Sequence, residues 1–403
     1  MHNYKINQPK DPKFYQEEML EIKEDAEGKD SLFWTEHRRS PLDKSEQLGY
    51  ALVDSLTSRG VLDLYIELGR FIARGTKRFE YFELGPYFQL LGFNQAEGLR
   101  ARLGIYTTKA FSKKLYLGGH AAYGFRDKQW KYQVEGRYRI VRKPRLEIGF
   151  QKTYEVEQVG VKDFLNNGAG LLQSLLRRVP LTQLNYYHEH RVDIWSDIAK
   201  GLSGNFFLRS KVFQPTATFP FGFRHEGGVR RRYNFTEAGM DLRVSFSEQY
   251  ITSAKGDRVY IGTKYPIFNL QYSTGLSGFL DGELQYHKVD IGMRNFLRMG
   301  RYGKLNYDVH VGQIFGTLPF PSLHVFAGNQ TWGYDKVGFN MMNYYEFVAD
   351  RYATAAVEHH FEGLIWNMLP LLRKLKWKEV LTARLAWGTL NDDNRRLNNL
   401  TFA

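Results

Sequence analysis

The chain contains no cysteine among its 403 residues. Disulfides, thiolate metal centres and a cysteine nucleophile are therefore excluded. It also lacks any uninterrupted apolar run of about eighteen residues, so no helix of this sequence can cross a bilayer. A leader of the export type is missing as well: Met1 to Ile6 runs directly into acid-bearing sequence with no apolar core segment. An exported form is then expected to be a mature or truncated piece. Helices do not alternate with strand patterns in the manner of a nucleotide-binding sheet, and no His-Glu-x-x-His helix is present. The net charge of +13 invites a nucleic-acid partner. The Lys and Arg residues are scattered through turns and alternate strand positions, however, which suits an anionic lipid surface better.

What is present is aromatic: 26 Tyr, 29 Phe and 7 Trp bring aromatics to 15% of a chain whose mean hydropathy is only −0.47. The pattern is clearest from Glu97 to Glu155. Leu99, Ala101, Leu103 and Ile105 alternate with Arg100, Arg102 and Gly104. Leu115, Leu117, Gly119, Ala121 and Tyr123 alternate with Tyr116, Gly118, His120 and Ala122. Trp130, Tyr132, Val134, Gly136, Tyr138 and Ile140 face away from Lys131, Gln133, Glu135, Arg137 and Arg139, and Leu146, Ile148 and Phe150 share one face. This is period-two amphipathy repeated along an antiparallel meander with short polar turns. Runs of about ten residues exceed the usual strand of about 5–6. Tilted by about 45°, they span an apolar band of about 25 Å, the height of an outer-membrane barrel belt.

Around this stretch the chain divides into a partly helical or loosely ordered periplasmic lead-in over residues 1–60 and a barrel over 61–403. Glu46 to Leu56 reads as a short helix, and Leu64–Ala73 and Phe79–Phe88 read as strands. A short amphipathic helix is expected at Leu171–Leu176, placed to plug a barrel, lie in the membrane interface or steady a loop. Strand patterns resume at Gln183–Ile194, Asn205–Phe213, Glu237–Tyr250, Ile267–Tyr272, Gly282–Ile291, Leu305–Ile314, Ser322–Phe326, Ala353–Ile365 and Val380–Trp387. The expected fold is all-β: a transmembrane antiparallel meander β-barrel of roughly 14–16 strands. After Trp387 the chain reads as loop, so the barrel is expected to be incomplete at its C-terminus.

Several stretches carry a resemblance: Asn94-Gln-Ala-Glu-Gly-Leu-Arg, Phe111-Ser-Lys-Lys-Leu, Ala122-Tyr-Gly-Phe-Arg-Asp-Lys, Lys264-Tyr-Pro, the run from Phe339 to Tyr352, Glu358-His-His-Phe-Glu-Gly-Leu, and Pro370-Leu-Leu-Arg-Lys-Leu-Lys. Together they resemble a Bacteroidota outer-membrane barrel family of unknown function whose longer members carry a carboxypeptidase-regulatory-like domain. That family is distantly similar to surface-antigen outer-membrane assembly barrels. The resemblance implies a large outer-membrane barrel and supplies no activity, and the Arg-Gly-Phe or Arg-Gly-Tyr motif of the assembly barrels does not occur.

The chemistry-bearing constellations are few. His188 and His190 share a strand face and are a weak metal candidate, with Asp193 near in sequence, and Glu358, His359 and His360 raise the same question; two ligands fall short of a site. Gly201-Leu-Ser-Gly and Gly275-Leu-Ser-Gly depart from the nucleophile elbow. A polar lumen network is expected from Asn94, Glu97, Glu346, Asp350, Arg351 and His359, and an anionic-lipid contact from Arg230, Arg231 and Arg232. No catalytic residue and no cofactor is expected. The reading is a non-catalytic outer-membrane protein of a Gram-negative cell in envelope biogenesis or transport. Its partners are outer-membrane lipid, lipopolysaccharide and other envelope proteins. A rim-active hydrolase of lipid or peptide and a soluble, basic all-β binding protein are the alternatives.

Overall fold

The computed structural model describes residues 18–21, 31–38, 41–57, 65, 68–69, 71–72, 75–158, 160, 176–178, 183–217, 223–225, 228–230, 232–252 and 258–398. In chain order the elements are β1 (Glu18–Glu21), α1 (Ser31–His37), α2 (Lys44–Thr57), β2 (Lys77–Arg78), β3 (Phe82–Leu84), β4 (Leu91–Asn94), β5 (Gly98–Thr107), β6 (Leu115–Gly124), β7 (Gln129–Val141) and β8 (Leu146–Gln158). There follow β9 (Leu184–Ala199), β10 (Leu202–Pro215), β11 (Phe223–His225), β12 (Gly228–Arg230), β13 (Tyr233–Ser245), β14 (Gln249–Thr252), β15 (Arg258–Gly262) and β16 (Ile267–Gly275). The last are β17 (Tyr286–Arg298), β18 (Lys304–Phe315), β19 (His324–Val325), β20 (Val348–Ala349), β21 (Arg351–His360) and β22 (Val380–Thr389), closed by a helix at Asp392–Asn398.

Two compact units emerge. The smaller joins Met1–Arg74 to Phe246–Tyr265 and holds the three-stranded sheet β1-β14-β15, with β1 parallel to β14. Its helix α2 begins with a reciprocal cap: Asp43 Oδ1 accepts the Glu46 N–H at 2.7 Å, and Glu46 Oε2 accepts the Asp43 N–H at 3.0 Å. The stretch Leu64–Ala73, expected as strand, is helical wherever it is described, at residues 65, 68–69 and 71–72. The spacing of Tyr65, Leu68 and Ile72 follows the helical period, and the alternation is the weaker pattern there.

The larger unit, Gly75–Ser245 with Pro266–Ala403, is built on one 15-stranded sheet. Its order is β2-β3-β5-β6-β7-β8-β9-β10-β13-β16-β17-β18-β21-β22, with β4 also paired to β5. All the long pairings are antiparallel and in sequence order. Among the described residues no pairing joins β22 to the opposite end of the sheet. The strands from Glu97 to Glu155 lie where the alternation places them. Those around 79–88 and 322–326 shrink to β3, a single 3-10 turn at Tyr87–Gln89, and β19. The helix at Asp392–Asn398 stands where loop was expected. Its Asn391 side chain caps the Asn394 N–H at 2.7 Å, with Asp392 and Asp393 in the first turn and Arg395 and Arg396 in the last. The expected helix at Leu171–Leu176 lies outside the described residues except for Leu176.

Burial in this sheet is the reverse of a soluble protein's. On β5, Arg100, Arg102 and Gly104 are buried, whereas Leu99, Leu103 and Ile105 are exposed. The same holds farther along: Val134, Tyr138, Ile148, Phe150, Val192, Ile194, Ile291, Val311, Leu381 and Trp387 are exposed, and Leu385 is 72% exposed. The charged face is also the concave one. Arg100 on β5 meets Glu155 on β8 at 2.8 Å, although three strand intervals on a flat sheet measure roughly 14 Å. Contacts that skip strands this way require the sheet to curl around its polar side.

The Asp43 carboxyl sits below its ordinary value of 3.8, chiefly because it accepts the Glu46 N–H and secondarily the Ser45 hydroxyl. A depressed folded-state pKa gives stability that is present above the unfolded value and lost as pH falls through the folded one. Protection of the Glu46 amide against hydrogen exchange is therefore expected to be constant above about pH 5 and to fall toward about pH 2. In Asp43→Ala protection should be low throughout; an unchanged pH profile in that variant would contradict the capping assignment.

Candidate functional site: the charged face and its cap

The densest chemistry gathers where β5 to β8 meet one rim. The turn after β4 places Glu97 so that its N–H donates to Asn94 Oδ1 at 2.8 Å while Asn94 Nδ2 donates to Glu97 Oε2 at 2.6 Å. Arg100 then bridges two acids, donating to Glu97 at 3.1 Å and to Glu155 at 2.8 Å. Lys131 reaches Glu97 at 2.9 Å and Asp127 at 2.6 Å, and the Tyr186 hydroxyl donates to Asp127 at 2.7 Å. Glu97, Lys131 and Glu155 are each 0% exposed. Arg102 donates to Gln89 and lies 3.0 Å from His120 Nδ1. Arginine has only donors, so His120 Nδ1 accepts, and its Nε2–H donates to Glu155 at 2.6 Å. Glu97, Asp127 and Glu155 thus meet Arg100 and Lys131 directly, and Arg102 is linked to Glu155 only through His120. Buried charges persist only when paired and hydrogen-bonded.

Similar clusters continue around the face. Arg209 pairs with Glu237 at 2.8 Å, and the Tyr286 hydroxyl donates to the same carboxylate at 2.9 Å. Lys211 reaches Glu157 at 2.7 Å. Asp290 binds His310 at 2.9 Å and the Tyr352 hydroxyl at 2.8 Å. Tyr352 lies flat over Gly312, where a Cβ would stand 2.2 Å from the ring, so a side chain at that position would displace the tyrosine.

The connection from β18 to β21 caps one end of this face. Leu318, Phe320, Leu323, Val325 and Tyr345 pack on Tyr233, Phe235, Tyr286 and Ile314, which the strands turn inward near that rim. The closing helix pins it. Asn394 Oδ1 accepts the Leu318 N–H and Asn398 Oδ1 the Phe320 N–H, both at 2.7 Å, and Asn398 Nδ2 donates to the Leu318 carbonyl at 2.9 Å. Asp350 holds the junction by accepting from Asn391 N–H at 2.8 Å and Asn394 Nδ2 at 2.9 Å. Farther in, His324 stacks on Tyr352 at 3.5 Å, and Arg384 of β22 donates to the Val337 carbonyl at 2.6 Å.

Of the residues expected in a polar network, Asn94 and Glu97 come together. Asp350 serves the cap instead. Glu346 is exposed and accepts the Asn343 N–H at 3.0 Å in a local turn. Arg351 is exposed at the start of β21, and His359 alternates onto the outward face, stacked on Phe361 and bonded to the Tyr302 carbonyl at 2.7 Å. The structure brings neither to the network. Arg100, His120, Lys131 and Glu155 were the missed members. Their polar parity on four neighbouring strands, all near one rim, was the available signal.

His188 and His190 point outward and are exposed, His188 stacked on Tyr154 at 4.1 Å. Asp193 has the opposite parity, buried and bound by Arg191 at 2.8 Å, so it cannot join them. No group of three metal-ligating side chains gathers among the described residues. Arg232 is exposed; Arg231 lies outside the described residues, and only the backbone of Arg230 is described, in β12. Ser203 sits within β10, and Ser277 follows β16 without a helix, so neither stands on a strand-to-helix turn.

Residues 205–391 match the family described as "Family of unknown function (DUF5686) C-terminal domain". No curated protein matches the chain. Among solved structures, it is similar to BamA from Haemophilus ducreyi lacking POTRA domains 1-3, at 11% identity and a TM-score of 0.45. That likeness covers 77% of this chain and 58% of the other.

Glu155 is the test of the network. Glu155→Gln leaves Arg100 buried without its main counter-charge, which is expected to cost about 3–5 kcal/mol. The variant should show that loss as a lower denaturant midpoint for the detergent-folded chain. A midpoint equal to that of the parent would show that the network carries no stability.

Proposed function

We propose that the chain is a non-catalytic outer-membrane β-barrel protein of a Gram-negative cell, acting in envelope biogenesis or transport. The observation that carries this reading is the inverted burial of the large sheet. Many of its charged side chains turn inward into ion pairs and hydrogen bonds, and its Leu, Ile, Val, Phe and Trp side chains stand outward. In water each large apolar side chain left exposed forgoes about 1.5–3 kcal/mol; in hydrocarbon the same side chains are at home and the charges must turn inward. A soluble all-β binding protein would need the opposite arrangement.

On this reading the convex face lies in lipid and the β18–β21 connection closes the polar interior at one rim. Any cargo must displace that cap, whose Asn394 and Asn398 bonds are the latch. The partners are membrane lipid, lipopolysaccharide and other envelope proteins, with no nucleic acid.

Gel migration provides the test. Chain folded in detergent and loaded without heating should migrate differently from the boiled sample, because a barrel resists detergent unfolding. A chain with no heat-dependent shift that also stays soluble without detergent would overturn the proposal.

A further inference from the structure

We infer that the outward face of β8 and β9 carries a binding site for the phosphate of an outer-leaflet lipid headgroup, formed by Lys152, His188, His190 and Arg232. The inference rests on the membrane reading above and adds a ligand chemistry to it. Lys152 stands on β8, His188 and His190 on the adjoining β9, and Arg232 just before β13, which β10 separates from β9. Lys152 is directly opposite His190, and Tyr154 directly opposite His188. Arg232 immediately precedes β13, two positions before Asn234, which stands opposite Val212 of β10 and thereby in line with His188. All four are exposed.

Their level on the sheet is informative. One step toward the short-turn rim, the outward positions are apolar: Phe150, Val192 and Leu208 lie in register, followed by Ile148, Ile194 and Phe206. Lys152 and His190 therefore sit where the apolar belt ends. Tyrosine rings flank them: Tyr154 lies 4.1 Å from the His188 ring and 6.3 Å from both Tyr132 and Tyr186. An aromatic girdle with basic side chains marks the headgroup level of a bilayer.

Among the described residues, no outward carboxylate stands beside Lys152 or Arg232. The outward neighbours across β10 and β13 are Ser210, Val212, Asn234 and Thr236, none of them a carboxylate. Asp127, close enough to act on Tyr154, is already bound by Lys131 and Tyr186. This contrasts with the concave face, where each described charge cluster includes its counter-ion. Cations left at a lipid boundary need anions from the lipid itself. The rim concerned carries the connections 125–128, 159–183, 216–232, 276–285 and 316–350, which are longer on average than 108–114, 142–145, 200–201, 246–266, 299–303 and 361–379 at the other. Long loops face outward in such barrels, which places the patch at the outer leaflet.

The test is native mass spectrometry of the full chain in detergent micelles, titrated separately with bisphosphorylated lipid A, dephosphorylated lipid A and inorganic phosphate. The parent should retain bisphosphorylated lipid A at least about tenfold more tightly than the dephosphorylated form. Lys152→Gln, His190→Gln and Arg232→Gln combined should erase that preference, and Lys152→Arg alone should keep it. Heat-modifiable migration of each variant reports its fold. Equal retention of the two lipids, or an unchanged preference in the triple variant, would overturn the site. So would full competition by inorganic phosphate at low millimolar concentration, which would make it a general anion site. A chain that lacks heat-modifiable migration defeats the membrane reading and the site with it, whereas a heat-modifiable chain blind to phosphate defeats the site alone.

Discussion

Arg100 bonded to Glu97 and Glu155 is the constraint on which the larger unit turns. A guanidinium removed from water is tolerable only if carboxylates meet it at hydrogen-bond distance, and Glu155 arrives from three strands away. Satisfying that bond curls the sheet and makes its charged side the inside. The apolar side chains of the same strands are then forced outward by their alternation. Ion pairing within and apolar exposure without are thus two consequences of one geometry. Arg209 with Glu237, Lys211 with Glu157, and His310 with Asp290 extend the same solution along the sheet.

The cap relies on a different interaction. Near the long-loop rim the inward positions turn from charged to aromatic, with Tyr233, Phe235 and Tyr286 offering an apolar seat to Leu318, Phe320 and Leu323. Asparagine amides on the closing helix pair with backbone groups that this segment would otherwise bury unsatisfied. The Asp350 carboxylate joins these amides by accepting from Asn391 N–H and Asn394 Nδ2, so the cap is held by a charge-assisted junction as well as by neutral hydrogen bonds and apolar packing.

Much of this was legible beforehand. Alternation from Leu99 to Phe150 assigned each residue to its face, since strand parity is local and the turns between are short. What alternation could not supply was distance around the curl, so Glu97 was recognised but Glu155 was not joined to it. His359 and Arg351 fall outside the network because their strand parity turns both away from the concave face, which a cluster of charges near a strand end does not reveal. The helix from Asp392 to Asn398 was missed as loop, although Asn391 before two aspartates is a capping signal. Leu64 to Ala73 failed for the reason that short apolar runs satisfy either period.

The inverted sheet can be probed directly because the chain has no native cysteine. Single cysteines placed in turn from Leu99 to Tyr106, spin-labelled and reconstituted in lipid bilayers, report collision with oxygen dissolved in hydrocarbon and with a water-soluble nickel chelate. Labels at 99, 101, 103 and 105 are predicted to be oxygen-accessible and chelate-protected, and those at 100, 102, 104 and 106 to be protected from oxygen. Loss of this two-residue alternation, or chelate access at 99, 101, 103 and 105, would contradict the account.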